Sequence, residues 1–262
     1  YDATLNSKRL TQSLLPQLYG IGICNRRKAV IQNYLVQIHG SILTPRMVRL
    51  KTMNELRGLK QASHFGPTVI VSSIAFVFGT YYWWEGPAYV IAFTVATGQL
   101  VVGWSNDLYD YKDDLAHNRL KKPLVSGLIT PQYLTKWLRF MVPFSLIANL
   151  LGPLGIKGGL VYMLGVACGV AYNFYFKFSA FSPLPFAIAF AALPSSIAIS
   201  KGITPPLWML LGGSIFGMAA HFINVIKDMK EDQASGIQGL PQRLGTKRSV
   251  IVAITLITFG VF

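Results

Sequence analysis

Apolar residues along this chain collect into blocks roughly 20 long, separated by short polar and basic stretches, and such blocks predict helices that cross a membrane. Six can be drawn: Phe65 to Trp83, Ala88 to Trp104, Trp137 to Leu154, Gly159 to Phe176, Leu184 to Ile199 and Trp208 to Ile226. A seventh begins at Val250 and reaches Phe262 after too few residues to span a bilayer, so it reads as a truncated span. Helices are required because in lipid each backbone N–H and C=O must find its partner within its own segment unless a closed barrel supplies one. The blocks do not alternate apolar and polar with period two, which argues against a barrel. The expected fold is all-α, a polytopic transmembrane helical bundle of six complete spans plus the truncated seventh.

Composition agrees. Hydrophobic residues make up 52% of the 262, while only 24 Lys+Arg and 10 Asp+Glu carry charge, about half the charged share of a soluble domain. A net charge of +14 would suit nucleic acid, but no basic recognition helix or motif accompanies it. Topology explains it better. Lys112, Arg119, Lys121, Lys122, Lys177, Lys227, Lys230, Arg243, Lys247 and Arg248 follow the second, fourth and sixth blocks, against Lys157 and Lys201 on the opposite side. The first set therefore lies at the cytoplasmic face. Cys24 and Cys168 are too far apart in sequence, and too few, for a disulfide framework or a zinc site. Residues 1–52 hold eight basic residues against Asp2 and no long apolar run. They read as an N-terminal extension upstream of a native start near Met47 or Met53, or else as a basic membrane-surface arm, with the transmembrane domain at 53–262.

Six of the ten acidic residues are aspartates in two short stretches: Asp107, Asp110, Asp113 and Asp114 after the second block, Asp228 and Asp232 after the sixth. At about 100° per residue, Asp107, Asp110 and Asp114 share one helical face with Asn106 at its edge, while Asp113 points elsewhere. His221, Asn224, Asp228 and Asp232 share a face of the other helix. Carboxylates stacked beneath a lipid interior are costly unless a cation neutralises them. Magnesium fits, since it takes a few carboxylates and fills its shell with water and phosphate oxygens, so the expected ligand is a diphosphate. Arg119, Lys121, Lys122 and Lys177 would meet its remaining charge.

The run Asn106-Asp107-x-x-Asp110-x-x-x-Asp114 resembles the NDxxDxxxD motif of the UbiA family of intramembrane prenyltransferases, and Asp228-x-x-x-Asp232 resembles that family's second motif, DxxxD. Lys122-Pro123-Leu124-Val125-Ser126-Gly127 is similar to its Arg-Pro-Leu-x-x-Gly stretch, and Gly236 to Gly245 to the tail after the second motif. Lys122 departs from the family by standing where Arg is usual. The likeness runs from about Arg57 to the end of the chain; the family typically has nine spans, so some are missing here. It implies magnesium-dependent transfer of an isoprenyl group from a prenyl diphosphate to a lipophilic, commonly aromatic, acceptor inside the bilayer, through ionisation of the allylic C–O bond. Asp107, Asp110, Asp114, Asp228 and Asp232 are the implied metal ligands, and Lys177 joins Asp107, Asp110, Asp228 and Asp232 in catalysis. Asn106, Arg119, Lys122, Tyr172 and Asn224 are the implied substrate contacts. Tyr109, Tyr111, Phe174 and Tyr175 lie close in sequence and could face an allylic cation. Arg57 and His64 near the first span could approach the diphosphate but read rather as interface anchors, and His221 reads as a structural hydrogen bonder rather than a catalytic residue. A terpene cyclase on the same scaffold and a cation-coupled transporter are the alternative functions.

Overall fold

A computed structural model describes residues 45–261, with side chains from Lys51 onward. The proposed extension at 1–52 therefore lies outside the described residues, except for the start of the first helix. Residues 54–262 form one compact unit. The chain folds as α1 (Pro45–Ala62), α2 (Phe65–Tyr82), α3 (Glu85–Ala116), α4 (Pro131–Leu151), α5 (Gly155–Phe174), a 3₁₀ turn (Phe176–Phe178), α6 (Leu184–Ser200), α7 (Leu207–Ala234) and α8 (Leu240–Val261). There are no strands among the described residues.

Five of these helices, α2, α3, α5, α7 and α8, are long and apolar enough to cross a membrane. The sequence reading differs from this in three places. Helix α6 is apolar throughout but only 17 residues long. Helix α4 carries Lys136 and Arg139 and an internal Pro143, which shorten its uninterrupted apolar stretch. The last helix starts at Leu240, ten residues ahead of the apolar block at Val250, because a short polar turn of helix precedes a break at Gly245 (φ 76°, ψ 166°). Glycine is needed there, since a Cβ is disfavoured at positive φ.

Length explains where the site sits. At about 1.5 Å per residue the 32 residues of α3 extend roughly 48 Å and the 28 of α7 about 42 Å. Both exceed the ~30 Å hydrocarbon thickness, so each helix projects a polar C-terminal end, and those ends carry the aspartates. The core between the helices is built from Ile91, Val95 and Val101 on α3, Tyr162 and Val166 on α5, and Leu193 and Ile197 on α6. A second cluster (Leu59, Ala62, Trp104, Leu124, Ile129, Leu134) fixes the loop after α3 against α1 and α4. Hydrophobic burial drives little helix association in lipid, so small residues and buried polar contacts hold the bundle. Asn149, fully buried on α4, donates to Thr94 O on α3 at 3.0 Å and to Ser145 O at 2.8 Å. On α7, a Cβ at Gly217 would lie 2.3 Å from Phe186 O on α6, so only glycine allows that approach.

Candidate active site

The polar ends of α3 and α7 and the turn after α5 meet around a cavity of about 1450 Å³ that continues down between α2, α3, α5, α6 and α7. Its polar mouth is lined by Asn106, Asp110, Asp113, Arg119, Lys122, Lys177, Asn224, Asp228, Glu231 and Asp232. Its deeper walls are mostly apolar, among them Val71, Ile74, Phe78, Val166, Phe190 and Leu193. Charge is thus confined to one end of a hydrophobic chamber.

Each expected site residue has a definite place. Asp110 pairs with Lys177, which is 4% exposed and whose Nζ lies 4.8 Å from the Tyr109 ring centroid. Asp228 is exposed to the cavity mouth with no hydrogen-bond or ion-pair partner among the described residues. Asp232 accepts from Gln242 Nε2 at 2.8 Å. Tyr172 lines the cavity with its ring edge-on to Phe186 and His221. Asp107 and Asp114 are 2% and 1% exposed and do not line the cavity. Lys122 Nζ donates to Asp107 Oδ1 at 2.8 Å, and Arg119 Nη1 to Asp114 Oδ1 at 2.8 Å. The helical-wheel grouping is therefore rotated: α3 turns Asn106, Asp110 and Asp113 toward the cavity and sets Asp107 and Asp114 to one side. Asp113, expected to point elsewhere, is a lining residue.

Arg119 also joins the two aspartate stretches, since Nη2 donates to Glu231 O at 3.0 Å and to Ser235 Oγ at 2.5 Å on α7. Burial works against the charges of Arg119 and Lys122, yet their acid partners outweigh it. Asp114, then Asp113 and Glu231, raise the Arg119 pKa above its usual value. Asp107, then Asp114 and Asp110, do the same for Lys122. Both side chains therefore stay protonated at neutral pH.

The two histidines considered from the sequence, and three uncharged residues, also take places at the site. His64, at the α1–α2 corner, lines the cavity and places Nε2 3.3 Å from Asp107 Oδ1. His221 is fully buried, with Nε2 3.0 Å from Ser182 Oγ, and Ser182 Oγ also accepts from Leu240 N at 2.9 Å. Ser182, Ser235 and Gln242 carried no signal in the sequence beyond the family-like tail in which Gln242 lies. Of the aromatics, Tyr109 and Tyr172 reach the cavity, whereas Tyr175 is 74% exposed.

The side-chain oxygens facing the cavity, from Asp110, Asp113, Asp228, Glu231, Asp232, Asn106 and Asn224, are of the hard type that magnesium takes. Among the described residues no three acidic, histidine or cysteine side chains converge on a metal position. Such a donor set suits an ion that completes its shell with water and substrate oxygens rather than one enclosed by protein.

The sequence model of the UbiA prenyltransferase family matches residues 57–262. No curated protein matches the chain. Among solved structures, a UbiA homolog from Archaeoglobus fulgidus bound to DMAPP and Mg2+ aligns with a TM-score of 0.60 at 17% identity, over 80% of this chain and 75% of that one. The same homolog bound to GPP and Mg2+ aligns at 0.59 and 17% identity, over 80% and 75% of the two chains. A digeranylgeranylglyceryl phosphate synthase aligns at 0.58 and 17% identity, over 79% and 75%. At such identities these structures establish the fold.

Proposed function

The chain belongs to the UbiA prenyltransferase family, and from that premise we propose that it transfers an isoprenyl group from a prenyl diphosphate to a lipophilic, aromatic acceptor at the cytoplasmic end of a membrane-embedded cavity. It is an integral membrane protein. The observation that carries the reading is the division of the cavity into an acid- and base-lined mouth and an apolar shaft. That shape matches a molecule with a diphosphate head and a hydrocarbon tail, and the A. fulgidus homolog was solved with DMAPP or GPP and Mg2+.

Asp110, Asp228 and Asp232 would hold magnesium, with Asn106 and Asn224 as neighbouring oxygen donors. Bound there, the ion would supply Lewis-acid neutralisation of charge building on the leaving diphosphate. The protein's own groups do the rest. Lys122, Arg119 and Lys177 are basic donors fixed before the ligand arrives, so they stabilise the departing oxyanion without reorganising. Low polarity in the shaft strengthens these interactions and keeps water from the allylic cation. Tyr109 and Tyr172 present ring faces or edges near the mouth, and an aromatic face can stabilise a desolvated cation by about 1 to 2 kcal/mol. The shaft walls hold the isoprenyl tail by apolar contact.

The test is diphosphate release from the protein in membranes, with dimethylallyl to longer prenyl diphosphates, magnesium or EDTA, and a panel of aromatic acceptors. Magnesium-dependent release with a prenylated product supports the proposal. Release without any acceptor would instead favour a cyclase, and no release from any donor would overturn the prenyl-diphosphate reading.

A further inference from the structure

We propose that Asp107 and Asp114 do not ligate metal but serve as fixed counter-charges that hold Lys122, Arg119 and His64 at the cavity wall, so that the motif Asn106-Asp107-x-x-Asp110-x-x-x-Asp114 divides into a ligand-facing and a base-positioning set. The inference rests on the diphosphate reading above and assigns roles within that site.

Burial makes the first distinction. Asp107 and Asp114 are 2% and 1% exposed and absent from the cavity lining, whereas Asp110 lines it together with Asp228 and Asp232. Occupancy separates them from Asp228 and Asp232, which form no ion pair among the described residues, though not from Asp110, which pairs with Lys177. Asp107 Oδ1 accepts from Lys122 Nζ at 2.8 Å and lies 3.3 Å from His64 Nε2. Asp114 Oδ1 accepts from Arg119 Nη1 at 2.8 Å, and its Oδ2 lies 3.8 Å from Lys122 Nζ. A divalent cation on either carboxylate would have to displace an ammonium or guanidinium, or sit beside it against like charge. All three basic partners line the cavity. Each acid is therefore behind a base, and the base is what a ligand meets.

Packing fixes this arrangement. His64 has a left-handed backbone (φ 48°, ψ 58°), a conformation that persists in a non-glycine residue only where its surroundings hold it. Here the α1–α2 corner presses on α3: a Cβ at Gly103 would stand 3.0 Å from Ala62 O and 3.1 Å from Ser63 O. The corner is thus seated one helical turn from Asp107, with the imidazole over that carboxylate. Asp107 and Asp114 are seven residues apart, two turns along one side of α3, while Asn106, Asp110 and Asp113 occupy the neighbouring side.

Binding of geranyl S-thiolodiphosphate, which does not ionise, to the full chain in nanodiscs tests the assignment when titrated at several Mg2+ concentrations. The midpoint in Mg2+ reports metal affinity, and the dissociation constant at saturating Mg2+ reports the diphosphate contacts. Asp110→Asn and Asp228→Asn should each raise the Mg2+ midpoint about tenfold or more, as expected when a charged contact is lost. Asp107→Asn should leave the midpoint within about twofold and weaken thiolodiphosphate binding by about tenfold. Lys122→Met should reproduce that loss, and Asp107→Asn combined with Lys122→Met should bind no more weakly than Lys122→Met alone, because one residue acts through the other. The double variant leaves no lone buried charge, so it keeps the test open if Asp107→Asn fails to fold. A Mg2+ midpoint raised by Asp107→Asn as much as by Asp110→Asn, or additive losses in the double variant, would overturn the assignment. Absence of Mg2+-dependent binding in the unaltered protein would instead overturn the diphosphate reading, and this inference with it.

Discussion

Replacing Lys177 with Met removes a cation from the mouth while keeping most of the side chain's length and apolar stem. The ammonium is held between Asp110 and the rings of Tyr109 and Phe178, with centroids at 4.8 and 5.3 Å, and the residue is 4% exposed. A donor so placed needs no ordering when a diphosphate arrives, so its loss should forfeit a full charge-assisted hydrogen bond, about 1.5 to 3 kcal/mol. At about 1.4 kcal/mol per decade this is a fall of roughly 10- to 150-fold in kcat/KM for geranyl diphosphate. Lys177 also competes with any cation for Asp110. Its removal should therefore lower the Mg2+ concentration needed for half-maximal release, or leave it unchanged, while turnover falls. The assay is magnesium-dependent diphosphate release in nanodiscs, with size-exclusion chromatography to confirm that the variant is folded. A kcat/KM within about threefold of the unaltered protein, or a raised Mg2+ requirement, would refute the placement of Lys177 at the leaving group.

Asp228→Asn should reduce magnesium-dependent release by at least about 100-fold while membrane insertion, followed by protease protection, stays intact; Asp228 makes no hydrogen bond or ion pair among the described residues that folding would lose. Gly217→Ala should destabilise the purified protein by about 1 to 3 kcal/mol, read as a lower thermal midpoint, because a Cβ 2.3 Å from Phe186 O forces α6 and α7 apart. Asn149→Leu should cost about 0.6 to 1.7 kcal/mol, the range for hydrogen bonds between membrane helices, by removing the donor that ties α4 to Thr94 O. Thermal unfolding in detergent measures it, and a midpoint equal to that of the unaltered protein would show the contact to be dispensable.

The helices were legible because hydrocarbon thickness imposes a length that sequence displays directly. The aspartate stretches were equally plain, being the few acids in a basic, apolar chain. Orientation about the α3 axis was not legible. The 100° rule groups Asp107 with Asp110 and Asp114, but which side turns toward the cavity depends on Lys122 and Arg119, whose loop is seated by Leu124 and Ile129 in a separate cluster. His64 looked like an interface residue because nothing local announces a left-handed corner; the pressure of that corner on Gly103 is a contact between residues about forty positions apart. Gln242, Ser182 and Ser235 escaped notice for a related reason. Uncharged side chains acquire a role at the site only once turns distant in sequence are brought to Asp232, His221 and Arg119.

The bonds around Arg119 span very different distances along the chain. Its contact with Asp114 bridges 5 residues and that of Lys122 with Asp107 bridges 15, whereas Arg119 reaches Ser235 across 116. A chain inserted from its N-terminus thus has the local pairs within reach as soon as α3 and its following loop have emerged, long before α7 is made. The buried acids Asp107 and Asp114 of the first half of the site have basic partners that do not depend on the second half. The guanidinium that pairs with Asp114 gives N–H groups to Glu231 O and Ser235 Oγ at the end of α7 as well. The two halves of the site are thus joined by bonds that reach across 112 and 116 residues.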